Sequence, residues 1–108
     1  MCNIIILKMI LWWLKIGTEK YMISRKYDDK SNVTGEVIKK LRKSKKMSRE
    51  TLSNKLMMLG IDINRDGIYK IEIGKRIIKD FELSAFSIVL GCPETEMLKE
   101  FREKLEED

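Results

Sequence analysis

Apolar positions recur with a helical period over most of this chain. Leu52, Leu56 and Leu59 stand at i, i+4 and i+7, one face of an α-helix. Ser48 precedes that stripe with a hydroxyl that can accept a free backbone N–H, so the helix starts after it and Gly60 stops it. Ile61-Asp62-Ile63 then alternates as a short extended link. Asn64 offers a second N-cap ahead of Ile68 and Ile71, spaced i and i+3, and Gly74 ends that helix.

The same reading extends to both sides. Thr34 caps a helix running to about Lys45, with Glu36 in its first turn and Lys43, Lys45 and Lys46 at its far end, as the helix dipole favours. Val37, Ile38 and Leu41 form its stripe. Only Lys46-Met47 separates it from Ser48, so it folds back and packs Ile38 and Leu41 against Leu52 and Leu56. Ile77-Ile78-Lys79 bridges to Asp80, the N-cap of a fourth helix that ends near Leu90 before Gly91. Leu83, Phe86, Val89 and Leu90 face inward and Phe81 covers an edge. Pro93 suits the first position of a last helix, where Glu94 and Glu96 complement the N-terminus. On that otherwise acidic helix, Met97, Leu98, Phe101 and Leu105 either cap the core or, through Phe101 and Leu105, form a seam between two copies. The expectation is an all-α domain over residues 34–108, a compact bundle of about five helices.

Residues 1–21 are different in kind, an apolar extension. The thirteen residues from Ile4 to Ile16 are too few to span a bilayer as a helix, which needs about 20. No basic stretch precedes them and Gly17-Thr18-Glu19-Lys20 is a poor cleavage site, so a secretory signal is not indicated. Three readings stay open: an upstream extension of a protein that starts at Met22, an extra helix that covers apolar surface or joins subunits, or an interfacial anchor with Lys8, Trp12 and Lys15 on one side. Residues 22–33 read as a polar linker, turn-like at Asp28-Asp29-Lys30-Ser31-Asn32. They are either a disordered tether or a basic arm carrying Arg25, Lys26 and Lys30.

Composition narrows the chemistry. A chain of 108 residues, 44% hydrophobic and 36% charged, has room for one small core. It has no histidine and only Cys2 and Cys92, so zinc sites, histidine-based nucleophilic catalysis and a disulfide framework lack their parts. No spacing of Asp, Glu, Ser or Cys suggests catalysis and no glycine-rich phosphate loop is present, so the chain does not read as an enzyme and implies no cofactor. Two unpaired thiols suit a reducing cytoplasm. The net charge of +5 points weakly to a polyanion. Its distribution says more: residues 20–76 hold 16 Lys and Arg against 7 Asp and Glu, whereas residues 77–108 hold 4 against 9. The basic segment coincides with the two-helix unit, and attraction to phosphates is the sequence-independent part of nucleic-acid affinity.

The stretches GEVIKKLRKSKKMSRETLSNKL and IYKIEIGKR resemble the Xre-type, lambda-repressor-like and Cro-like helix-turn-helix proteins over roughly residues 35–98. The most specific pieces are LRKSKKMSRETLS, at the junction of the first two helices, and IEIGKR, at the end of the recognition helix. The resemblance implies a compact bundle of about five helices that binds double-stranded DNA.

It also assigns roles. Ser53 takes the small-residue position that lets the following helix approach, and Arg42 with Glu72 forms a structural pair between the first and third helices. Arg65, Asp66 and Lys70 fall where related repressors aim side chains at base edges: Arg65 suits guanine, Asp66 the cytosine amino group, Lys70 guanine or a phosphate. Ser48, Arg49 and Asn64, at helix N-termini, and Lys75 and Arg76, after the recognition helix, are the phosphate-contacting candidates. Tyr69 either flanks the groove or packs.

Two departures from the family pattern stand out. Leu56 to Ile68 spans about five positions more than the family's usual link, which would lengthen the second helix through Met57-Met58-Leu59 and the turn through Ile61-Asp62-Ile63. Gly67 lies inside the recognition helix, where glycine costs roughly 1 kcal/mol relative to alanine. It either admits close approach to DNA or marks a frayed helix. The combined reading is a sequence-specific transcriptional regulator, a repressor acting as a homodimer on a palindromic operator. The alternatives are a repressor-like interaction module that regulates a partner protein through its C-terminal helix and, third, a membrane-tethered regulator.

Overall fold

The computed structural model describes residues 27–107, together with Lys8 and Ile10. The expectations for the apolar extension and for Arg25 and Lys26 therefore lie almost wholly outside the described residues. Within residues 27–107, six helices follow in order: α1 Gly35–Ser44, α2 Arg49–Met58, α3 Arg65–Glu72, α4 Asp80–Leu90, α5 Glu94–Met97 and α6 Lys99–Glu107. The fold is all-α and compact, as the periodicity indicates.

Local chemistry accounts for most helix ends. The Ser48 hydroxyl accepts from the Thr51 N–H at 3.0 Å and the Asn64 side-chain oxygen from the Gly67 N–H at 2.7 Å, both from extended N-cap backbone. Gly60 and Gly74 follow α2 and α3 with φ of 82° and 79°, a turn that costs a residue with a Cβ.

Two caps differ from the sequence reading. Thr34 stands at the N-cap of α1 but is buried and makes no capping bond; Asn32 Oδ1 accepts from the Gly35 N–H at 2.8 Å instead. Lys79, not Asp80, is the N-cap of α4. Glu82 three residues on reaches back to accept from the Lys79 N–H at 3.0 Å, while Asp80, at the first helical position, accepts from the Phe81 N–H at 2.7 Å.

The core joins Ile38 of α1, Leu52 and Leu56 of α2, Ile68 and Ile71 of α3, Ala85, Phe86 and Leu90 of α4, and Met97 of α5. Fully burying a side chain of this size stabilises the fold by about 1.5–3 kcal/mol. Leu59 is not part of it: α2 ends at Met58, the i+7 position falls on the departing turn, and Leu59 is half exposed. Ile63, from the lengthened link, fills the core instead at 2% exposure.

The last helix is divided. Pro93 is the N-cap of α5, Leu98 separates α5 from α6, and only Met97 of the apolar stripe is buried. Phe101 meets the Tyr27 ring edge to face at 5.0 Å, whereas Leu105 is half exposed. Tyr27 belongs to a tight turn in which it exchanges both backbone hydrogen bonds with Lys30, around Asp28 and Asp29 at positive φ. The described part of the linker is thus a folded turn docked on the bundle.

Candidate nucleic-acid interface

α3 is amphipathic, with Ile68, Ile71 and Glu72 buried and Arg65, Asp66, Tyr69 and Lys70 exposed. Residues 65, 66, 69 and 70 lie on one face because 3.6 residues complete a turn. Arg65 Nε is 4.0 Å from Asp66 Oδ1, with both side chains more than two-thirds exposed. A pair so placed contributes about 0–1 kcal/mol and leaves both groups available to an outside partner. Among the described residues, Lys70 and Lys75 are exposed and form no ion pair.

Beneath this face lies a charged cluster. The Glu72 carboxylate, fully buried, accepts from Arg42 Nε at 2.7 Å, Arg42 Nη2 at 3.2 Å and Arg49 Nε at 3.0 Å. Arg42 Nη1 donates to the Met47 carbonyl at 2.8 Å, so one guanidinium ties α1, the α1–α2 turn and α3 together. Buried charge is tolerated only when paired and hydrogen-bonded, and every side-chain polar atom buried among the described residues has a partner. The guanidinium of Arg49 also lies over the Tyr69 ring, 5.1 Å from its centroid. Arg49 is therefore held by Glu72 and Tyr69 at the N-terminus of α2 while about a third of its side chain stays exposed.

The lengthened link has its own fastening. Ser53 donates its hydroxyl to the Ile63 carbonyl at 2.6 Å, which fixes the end of the link against α2. The small residue thus serves as a donor as well as leaving space. Gly67 is the third residue of α3, and its N–H goes to the Asn64 cap. A Cβ there would meet Ile63 Cγ2 at 3.0 Å and Asn64 Oδ1 at 3.2 Å. The space over Gly67 is taken by this chain's own link and cap, a third use beside the two expected for it.

Other candidates are already engaged. The side-chain oxygens of Ser48 and Asn64 cap α2 and α3. Arg76, expected at a phosphate, pairs with Glu82 through Nη1 at 3.2 Å and Nη2 at 3.1 Å, fixing the α3–α4 loop while 30% of its side chain stays exposed. Glu82 follows Arg76 by six positions, so α4 presents a carboxylate where the loop returns. Burial opposes the Glu82 charge, but hydrogen bonds from Arg76 and the Lys79 N–H, with the charges of both, hold its carboxyl below the usual range. The structure gathers Arg65, Asp66 and Lys70 on one face of α3 and joins Arg76 to Glu82 beyond it.

Sequence reasoning missed Asn32 and Gly35. Asn32 Nδ2 donates to the Ile71 carbonyl at 2.9 Å and the Arg76 carbonyl at 2.8 Å, and the Ser31 N–H donates to the Gly74 carbonyl at 2.7 Å. These bonds give the Ile71 carbonyl a second donor beside the Gly74 N–H at 3.0 Å and supply donors to the Gly74 and Arg76 carbonyls just beyond α3. Gly35 brings the start of α1 against that end, where a Cβ would fall on the Ile71 carbonyl oxygen. An Asn three residues ahead of a helical glycine has capping spacing, a signal that Thr34 obscured.

The model of the helix-turn-helix family matches residues 38–97, more than half of the chain. The chain belongs to the Xre-type, lambda-repressor-like helix-turn-helix family, whose members are DNA-binding regulators. No curated protein and no solved structure matches it. Among the described residues no helix is long and apolar enough to cross a membrane, and no cluster of Cys, Asp or Glu could hold a metal ion.

Proposed function

We propose that this protein is a sequence-specific transcriptional regulator that represses by occupying a palindromic operator as a homodimer. The observation that carries the reading is the outward face of α3, where Arg65, Asp66 and Lys70 project from a helix braced by a buried ion-pair cluster. Such a face presents donors for guanine and an acceptor for the cytosine amino group, the elements of direct readout in the major groove. Lys75 beyond α3 and the free N–H groups of Arg49 supply phosphate contact; Ser48 and Asn64 act there as caps that aim helix N-termini toward the backbone.

A single recognition helix reads few base pairs, so a second copy doubles the site and relates its halves by a two-fold axis. Leu105 on α6 is the exposed apolar residue of the expected seam; Phe101 contributes less, since Tyr27 covers it. The cytoplasm is the compartment where the free thiol of Cys92 and access to DNA coincide. Selection of genomic fragments by the full chain, followed by sequencing, tests the proposal. Enrichment of one inverted repeat with half-sites about one helical turn apart supports it. Enrichment of an asymmetric site rejects the dimer, and no enrichment rejects sequence-specific binding.

A further inference from the structure

Tyr69 lies at the middle of the outward face of α3. Successive residues turn by about 100° around a helix, which places Tyr69 between Arg65 and Asp66 in angle and one turn further along. Its ring is about half exposed. An aromatic side chain in that position ordinarily changes rotamer freely, but this one is held. Arg49 covers it at 5.1 Å, Glu72 fixes Arg49 through Nε at 3.0 Å, and Arg42 fixes Glu72 at 2.7 Å. A chain of charged contacts thus runs from the buried cluster to an exposed ring. A ring ordered before binding loses less freedom on contact.

We infer that Tyr69 is a base-reading side chain whose ring packs on the C5-methyl group of a thymine, with Arg49 as its positioning residue. The inference rests on the DNA-binding reading above. The face offers two cations, one carboxylate and one large apolar surface. The first three match groups on guanine and cytosine, and the only apolar group on a base edge in the major groove is the thymine methyl. The cover from Arg49 lies on one side of the ring, and the exposed remainder is the surface that meets the methyl.

The test compares the wild-type chain with Tyr69→Ala, Tyr69→Phe and Arg49→Lys on a duplex selected by the wild type. Each thymine in turn is replaced by deoxyuridine, which removes only the methyl group. The wild type and Tyr69→Phe lose about tenfold in affinity at one thymine, or at a symmetry-related pair. Tyr69→Ala binds both duplexes equally yet still discriminates at guanine positions, and Arg49→Lys shows a reduced thymine effect. Melting curves establish that each variant is folded. A Tyr69→Ala protein that keeps the wild-type ratio at every thymine overturns the inference. So does a wild type that discriminates guanine but is indifferent to every methyl, and that result leaves the DNA-binding reading standing. A wild type that selects no duplex overturns both.

Discussion

Asn32 and Ile71 stand 39 positions apart, and the Asn32 carboxamide donates to the Ile71 carbonyl at 2.9 Å. The same side chain accepts from the Gly35 N–H at 2.8 Å and donates to the Arg76 carbonyl at 2.8 Å. One small amide thereby caps the start of α1 and secures the end of α3, so the residues before the bundle help set the pose of the recognition helix.

Asn32→Ala should leave the Gly35 N–H and two carbonyls without this partner and destabilise the fold by about 1–3 kcal/mol. Asn32→Asp should not restore stability, because a carboxylate has no donor for Ile71 and Arg76. Gly35→Ala should cost a similar amount by driving α1 off the Ile71 carbonyl. The urea midpoint of unfolding checks all three.

Removing the central carboxylate should cost more. Glu72→Ala leaves Arg42, 8% exposed at its side chain, beside an empty site, and breaking a buried pair costs about 3–5 kcal/mol. Glu72→Gln keeps an acceptor and should lose less. Thermal unfolding at neutral pH distinguishes the two.

Ser53→Ala should cost about 1–3 kcal/mol, since the buried Ile63 carbonyl loses its donor at 2.6 Å. The same change should loosen the start of α3. Amide exchange at Arg65–Ile68 then rises more than exchange in α4, which separates a local effect from global destabilisation.

The Glu82 carboxyl lies below its ordinary value of 4.5 in the folded state. Its contribution to stability is therefore complete above that value and is lost as pH falls through the lowered folded one. Wild type should exceed Glu82→Gln in stability by a constant margin near neutral pH, and the margin should shrink in acid below pH 4.5. A urea series at stepped pH measures it.

The helices and most of the core were readable from the chain because their signals are local. Ile38, Leu52, Leu56, Ile68, Ile71, Phe86 and Leu90 recur at helical spacing and are all buried. Ser48 and Asn64 cap through bonds that reach three residues. What escaped depends on distant partners. Arg76 looks like any exposed cation until α4 brings Glu82 to it, and residues 27–33 look like a tether until the end of α3 supplies acceptors for Ser31 and Asn32. Leu59 kept the period but lost the helix, because α2 stops one residue earlier. On the candidate face, the family resemblance pointed to Arg65, Asp66 and Lys70, whereas the hold of Arg49 on Tyr69 required coordinates.

The most direct measurement is a salt series of binding to a selected duplex by the wild type and by Arg65→Ala combined with Lys70→Ala. Wild-type affinity should fall steeply with salt, with a log–log slope of about −4.5 if roughly five phosphates are neutralised. The double variant should lose its preference for the selected site over a scrambled one while keeping salt-sensitive, nonspecific binding. Wild-type binding that ignores salt, or a double variant with its preference intact, would contradict DNA reading by α3. Salt-insensitive association with a protein through α6 would favour an interaction module in its place.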